Sequence, residues 1–505
     1  MLINTPVSGE LFHTATGTAF VDLLVNGHRQ TWPIRSKRLR TWLRRRHYQE
    51  TGQALGAGAI RSALDLLEAQ AQFDGPERTI HVRVAEHAGH IYLDLADESW
   101  RAVEIGPAGW RVIESPPVRF CRPAGMLPLP LPEPGGSIEA LVPLLNLKSR
   151  NELVLTVMWL LATLRSRGPY PVLAISGEQG STKTVLSKLL KALIDPNAAP
   201  VRALAREERD LMIAANHSYL LAFDNLSDLP SSLSDAFCRL ASGGSFAVRQ
   251  LYTDEDEVLF QAARPILLNG IEDVIRRPDL ADRAIFLTLA AIGEGRRRPE
   301  QELWHEFEIA RPRILGALLN AVAHGLRELP RVRFEKLPRM ADFALWAMAC
   351  ETAFWPSGTF LQAYSANRSA AVERFIDTDP VAACVREIMS DCRNWSGSAS
   401  DLLRACADHA GDDVPRRSAG WPKNPRALAG RLRRMQTFLR TFGIEIAFSR
   451  EGRTGTRTIH ISAALDTSLR NIVSTVSSGW DETRPIQSGN PQEDEPLFCR
   501  LRRRC

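Results

Sequence analysis

The run Val172–Ile194, VLAISGEQGSTKTVLSKLLKALI, decides how the chain around it is read. Val172–Ser176 is a short apolar segment of strand type. Gly177–Thr182 is small and polar, and Lys183–Ile194 repeats its apolar residues at helical spacing. Strand, tight polar turn and helix follow one another in the order of a phosphate-binding loop. In such a loop the backbone N–H groups of Gly177, Glu178, Gln179, Gly180, Ser181 and Thr182 curl around phosphate oxygens. The Lys183 ammonium then reaches the β/γ oxygens and the Thr184 hydroxyl sits on Mg²⁺. ATP and Mg²⁺ are the expected ligands. The run departs from the pattern G-x-x-x-x-G-K-[ST] at one position, Thr182, where a glycine usually precedes the lysine.

Downstream segments supply the partners such a loop needs. Tyr219–Phe223 is apolar or aromatic throughout and ends in Asp224. An acid at the tip of a buried parallel strand can hold Mg²⁺ through its water shell, so Thr184 and Asp224 are the expected metal residues. Asn225 follows. Pro265–Leu268 is a second apolar strand and ends in Asn269, whose amide can touch a γ-phosphate and the attacking water. Arg283, between a helix-like turn and a strand, is placed as an arginine finger would be in a ring ATPase; a salt bridge to Asp279 or Asp282 is the plainer alternative. Phe246–Tyr252 and Val258–Ala263 flank an acidic tip and read as a β-hairpin.

Composition sets the frame. A chain of 505 residues with 24% charged and 44% hydrophobic residues is an ordinary soluble globular protein of about three domains. A net charge of +5 is mild, so where the basic residues collect matters more than their sum. The 8 cysteines form no C-x-x-C pair, which excludes a zinc ribbon and suits free thiols in a reducing cytosol. Met1–Glu10 lacks the pattern of a signal peptide, and the apolar block Leu153–Leu164 is too short for a bilayer span. A buried helix, a cytoplasmic location and no membrane partner are expected.

Taken in order, residues 1–137 read as an α+β region whose role the sequence does not declare. Within it Lys37–Glu50 is a strongly basic helix carrying Trp42 and Tyr48, a composition that suits a solvated face or a nucleic acid. Asp94 and Asp97 lack the third acid of a polymerase-type metal site. Pro123–Gly136 reads as an extended linker. Residues 138–298 form the expected α/β core, 299–390 a helical lid in which Arg339 is a candidate nucleotide sensor, and 391–464 a winged-helix-like domain. In the last, across residues 416–457, Arg416, Arg417, Lys423, Arg426, Arg431, Arg433, Arg434, Arg440, Arg450, Arg453 and Arg457 face only Glu445 and Glu451. So lopsided a charge is the footprint of phosphate-backbone binding. Residues 465–505 turn polar and aperiodic and read as a disordered tail.

Together SGEQGSTKT, LLAFDNLS, LASGGSFAVRQLYTDEDE, RPILLNGI and RRPDLADRAI resemble the superfamily 3 (D5/P4-type) helicases of the AAA+ class, found beside primases in phages and mobile elements. The resemblance implies a P-loop core with an α-helical lid and a homo-oligomer, a hexameric ring enclosing single-stranded or forked DNA. It also implies ATP bound between subunits and a separate primase as a candidate partner. Lys183 and Thr184 match the phosphate and metal residues, Asp224 the metal-site acid, Asn269 the sensor and Arg283 the finger. Phe246–Ala263 matches the channel hairpin, with Arg249 as its only cation. Asn225 stands where a second acid often polarises water; an amide can orient water but cannot take its proton. The expected function is an ATP-dependent DNA helicase or translocase in replication of a mobile element. The alternatives are an ATPase that loads or remodels a DNA-bound partner, and a DNA-binding initiator that uses ATP as an assembly switch. Arg249, Arg426, Arg431, Arg433, Arg434 and Arg453 are the candidate DNA contacts.

Overall fold

The computed structural model describes residues 9–463 except 250–256, 262, 272–273, 294, 296, 334–337, 410–420 and 452–455. The tail expected at 465–505 and Arg453 lie outside the described residues. The chain is a mixed α/β protein with several separate sheets.

Strands β1 (Leu11–His13), β2 (Ala19–Val25) and β3 (His28–Pro33) form an antiparallel sheet. Asn26 and Gly27 turn β2 into β3 with φ of 52° and 80°, the left-handed pair a two-residue hairpin demands. Helices α1 (Lys37–Thr51) and α2 (Ala57–Phe73) follow. The short strand β4 (Ile80–His81) precedes an antiparallel meander of β5 (Val84–His87), β6 (His90–Asp94), β7 (Ala102–Gly106) and β8 (Gly109–Ile113). Strand β9 (Arg119–Phe120) returns to pair with β4. Asp94 is engaged by Arg122 and Asp97 by Arg101, so both acids serve the meander's edge.

The Pro/Gly-rich stretch expected as a linker is extended but is bonded along its length. Leu127 N donates to Pro196 O, Leu129 N to Leu95 O and Glu133 N to Pro312 O. A Cβ on Gly316 would lie 1.8 Å from Glu133 O, so only glycine lets the strap lie this close. The strap's prolines fix an extended backbone that leaves carbonyls and N–H groups free for its neighbours.

Beyond it come α3 (Arg150–Thr163), β10 (Val172–Gly177), α4 (Lys183–Ile194), α5 (Glu208–His217), β11 (Leu221–Leu226) and α6 (Ser231–Ser242). They are followed by β12 (Ser245–Arg249), β13 (Glu257–Gln261), β14 (Ile266–Gly270), α7 (Pro278–Ala281) and β15 (Ala284–Leu289). Strands β11, β14, β10 and β15, in that spatial order, form one parallel sheet. Its strands are apolar up to their C-terminal ends because both faces are covered. Leu173, Ile175, Leu267, Ile285 and Leu287 face a core that also holds α3 and α4, while Val172, Ala174, Phe223, Leu268 and Phe286 face another with α5 and α6. Leu153–Leu164 is buried within the first of these cores. Between α4 and α5 the chain adds one bridge, Arg202 to Phe223, at the sheet's edge. Strands β12 and β13 pair as an antiparallel hairpin; its tip and the side chain of Arg249 lie outside what is described.

Helices α8 (Glu300–Glu328), α9 (Ala341–Glu351) and α10 (Thr359–Thr378) come next, and the first core runs continuously from the meander through α3 into them. The last unit is α11 (Pro380–Asp391), β16 (Asn394–Gly397), α12 (Ala399–His409), α13 (Pro425–Thr441), β17 (Ile444–Glu451) and β18 (Thr456–Ala463). Its antiparallel sheet has the order β16-β18-β17. Asn424 caps α13 by accepting from Ala427 N at 2.8 Å, and Pro425 occupies the first turn, where a missing N–H is harmless. Among the described residues no helix is long and apolar enough to cross a membrane.

Candidate functional site

The loop between β10 and α4 turns on three residues. Gly177 and Gly180 carry φ of 152° and 84°, and a Cβ on Gly177 would lie 2.8 Å from Ser181 Oγ and 2.9 Å from Leu289 O. Thr182, the departure noted above, has φ 63° and ψ 24°. This is the left-handed region that glycine enters freely and a β-branched residue enters at a cost. Lys183 Nζ lies across the mouth of the loop, donating to Gly177 O at 2.6 Å and Glu178 O at 2.8 Å. Partial burial lowers the pKa of this ammonium from its ordinary value, with the nearby Asp224 charge opposing the fall.

The strand tips complete the arrangement. Thr184 Oγ1 donates to Asp224 Oδ1 at 2.9 Å, which joins the first turn of α4 to the end of β11. On the strand between them, buried Asn269 accepts from Asn225 N at 3.0 Å and donates through Nδ2 to Ser187 Oγ at 2.8 Å. The amide therefore fixes both the Asp224–Asn225 tip and the face of α4. Asn225 itself is exposed with φ 57°. Asp224 and Asn225 also line an open cavity of about 360 Å³ with Arg202 and Asp228. A second cavity of about 580 Å³ over the loop is lined by Gln179, Gly180, Thr182, Ile292, Arg297 and Arg298. A glycine cradle, a lysine at its mouth and a hydroxyl beside a carboxylate form a donor set that fits a triphosphate with a hard divalent cation.

Two residues at this loop escaped the sequence reading. Asn146 Nδ2 donates to Ser181 O at 3.2 Å and to Ala290 O at 2.7 Å, pinning the loop from outside. Arg297 Nη2 hangs 3.8 Å from the point a Cβ on Gly180 would occupy. Neither belongs to a motif; Asn146 reaches the loop from 35 residues upstream and Arg297 from more than a hundred residues downstream.

Arg283 lies elsewhere. It precedes β15, where its carbonyl accepts from Val172 N, so it sits at the start of β10 and not at the loop. The length of β10, roughly 17 Å at 3.3 Å per residue, separates them. Its Nη1 donates to Asp279 O at 2.6 Å. The acid beside it, Asp282, is taken by Arg339 and Arg368. Arg339, the candidate sensor, is thereby held at this far end of the sheet.

The basic residues of the last unit divide by face. Arg426, Arg433 and Arg434 are exposed on α13. Arg426 and Arg433 line a cavity of about 660 Å³ with Phe448, Arg450 and Arg457, and the Arg433 guanidinium stands 4.4 Å from the Phe448 ring centroid. Arg431 points the other way. Its Nε donates to Asp379 Oδ2 at 2.5 Å, while Asp379 Oδ1 caps α11 by accepting from Val381 N and Ala382 N at 3.0 Å.

With this geometry in view, family comparison is informative. Residues 138–374 match the family described as "Actinomycete integrative conjugative element replication protein". Residues 381–475 match the "AICE RepA C-terminal domain". The two matches lie in tandem along the chain and both describe replication proteins of a mobile element. No curated protein matches the chain. Similar solved structures include "The apo structure of NrS-1 C terminal region (305-718)", with 12% identity, 90% of this chain and 96% of that chain covered, and a TM-score of 0.40. Another is a JCV Helicase bound to a small molecule, with 13% identity, 46% and 65% coverage and a TM-score of 0.24. The first match begins at 138, ahead of α3, and the second at 381, in the first turn of α11.

Proposed function

We propose that the chain is an AAA+ P-loop ATPase that drives an ATP-dependent DNA helicase or translocase in replication of its mobile element. The observation that carries this reading is the Thr184–Asp224 hydrogen bond at 2.9 Å, set beside Lys183 and Asn269 at the C-terminal ends of parallel strands. Thr184 and Asp224 would hold Mg²⁺, which neutralises charge on the β/γ oxygens when bound. Gly177–Thr182 N–H groups and Lys183 bind and orient the triphosphate, and Asn269 keeps the Asp224 tip in register with α4. Arg297 adds a cation above the loop in the same subunit.

The position of Arg283 supports a ring. Roughly 17 Å of strand lies between it and its own loop, so any γ-phosphate it meets belongs to a neighbour. The helix–strand–helix–helix–hairpin order of the last unit supports a winged helix, with Arg426, Arg433 and Arg434 toward the DNA backbone. A second reading, ATP as an assembly switch, is favoured by Asn225, which can orient water but cannot accept its proton.

The test is the ATPase rate with and without single-stranded DNA, followed by unwinding of a forked duplex. Lys183→Ala is expected to abolish nucleotide binding; DNA-stimulated turnover surviving that change would remove the P-loop assignment. Binding without turnover in the wild type would select the switch. Arg283→Ala should keep ATP binding and lose turnover, at least 1,000-fold by the usual worth of an arginine finger; turnover that persists would return Arg283 to a structural role.

A further inference from the structure

Among the described residues, helix α1 is a basic element that the proposed ATPase and DNA-binding unit leave unused. Its inner face is spent on the N-terminal sheet: Leu39 is fully buried, Trp42 meets Trp32 edge-on at 6.2 Å, and Arg38 and Arg46 stack over Trp32 and Trp42. Its outer face carries Lys37, Arg40, Arg44 and Arg45, all exposed, and ends at Tyr48, 62% exposed. Lys37, Arg40, Arg44 and Tyr48 recur at three- and four-residue intervals, so they form one stripe. Among the described residues none of the four cations forms an ion pair; Glu50, the helix's only acid, is taken by Arg46. Like charges at these spacings destabilise a helix on their own. The stripe therefore gains from a polyanion lying along it.

We infer that this stripe is a second nucleic-acid surface, one that holds single-stranded DNA with its phosphates on the cations and a base stacked on Tyr48. Three features select that partner. The four charges and Tyr48 span about 16 Å of straight helix, a linear array that suits a backbone better than a point anion. An exposed aromatic in line with cations is the arrangement that single strands use, because every base has a face to stack. A membrane surface would need a free apolar face beside the charges, and the apolar face of α1 is already buried against the sheet. This surface is separate from the nucleotide site and from the arginines of the last unit, so its test can fail without touching either.

The experiment is fluorescence anisotropy of the full-length protein with a labelled oligothymidylate, without nucleotide, across a salt series. The variant K37Q/R40Q/R44Q/R45Q should bind at least tenfold more weakly, with the slope of log affinity against log salt reduced by about 3, from ~0.7 per phosphate contact. Tyr48→Ala should weaken binding about tenfold and leave the slope unchanged. All five side chains are exposed, and circular dichroism checks that the fold is kept. A quadruple variant with wild-type affinity and slope overturns the proposal. A reduced slope with no effect of Tyr48→Ala overturns the single-strand assignment in favour of duplex backbone. Loss of binding to phosphatidylserine vesicles with DNA affinity untouched would overturn it in favour of a membrane.

Discussion

At the scale of single residues, Thr182 shows what a motif departure means physically. With φ 63° it occupies the conformation for which the pattern reserves glycine. The left-handed conformation costs an L-residue about 1–2 kcal/mol, and glycine gives back part of that in chain entropy. Thr182→Gly is therefore expected to stabilise the protein by about 0.5–1 kcal/mol net, seen as a higher denaturant midpoint. An unchanged midpoint would mean the loop relaxes elsewhere. Lys183 and Thr184 were legible in the strand–turn–helix order, and Asp224 and Asn269 because a strand tip announces itself by an apolar run ending in a polar residue. Asn146 and Arg297 were not, since nothing local marks a side chain that reaches the loop from a distant segment.

At the scale of elements, α13 shows why charge counting overshoots. The sequence presents Arg431, Arg433 and Arg434 as one cluster, yet a helix turns 100° per residue and sends them to different faces. Arg431 faces Asp379, which also caps α11, so it binds two helices together. Arg431→Gln should cost about 1–3 kcal/mol of stability, the price of a half-buried charged hydrogen bond, and leave the salt slope of DNA binding unchanged. Neutralising Arg433 and Arg434 should do the reverse, flattening the slope by about 2 without lowering the melting temperature. Equal effects on slope from both variants would put Arg431 back at the DNA face. The elements of this unit were readable from caps and alternation; the direction each arginine takes was not, because that depends on α11 and α12 packing against it.

At the scale of the whole molecule, the expected boundary at 137 is crossed by a buried charge network. Arg83 Nε donates to Asp195 Oδ1 at 3.1 Å, and Asp195 Oδ2 accepts from Lys191 Nζ at 2.9 Å, Tyr219 N at 2.9 Å and Leu220 N at 3.1 Å. All three charged side chains are within 2% of full burial. Burial alone would raise the Asp195 pKa; Lys191 and Arg83 outweigh it and hold the carboxyl well below its usual value. A carboxyl lowered in the folded state adds stability above its unfolded pKa of about 3.8 and loses it as pH falls toward the folded value. Asp195→Asn should therefore destabilise by about 3–5 kcal/mol at neutral pH, by stranding two buried cations. It should also flatten the acid limb of a stability–pH curve. An acid limb identical to wild type would assign that limb to other carboxylates. The sequence hides this network because Arg83 lies 112 positions from Asp195 and its members sit in unremarkable contexts.

The strap and this network together have a consequence for dissection. The family match starts at 138, yet a fragment starting there would lose Arg83 from Asp195 and strip Leu93, Val103 and Ile105 from the core they share with α3 and α8. Homology and foldability draw different borders on this chain. The span that relatives share is not the span that can stand alone, and an inactive piece cut at the homology border would report a broken core rather than a missing activity.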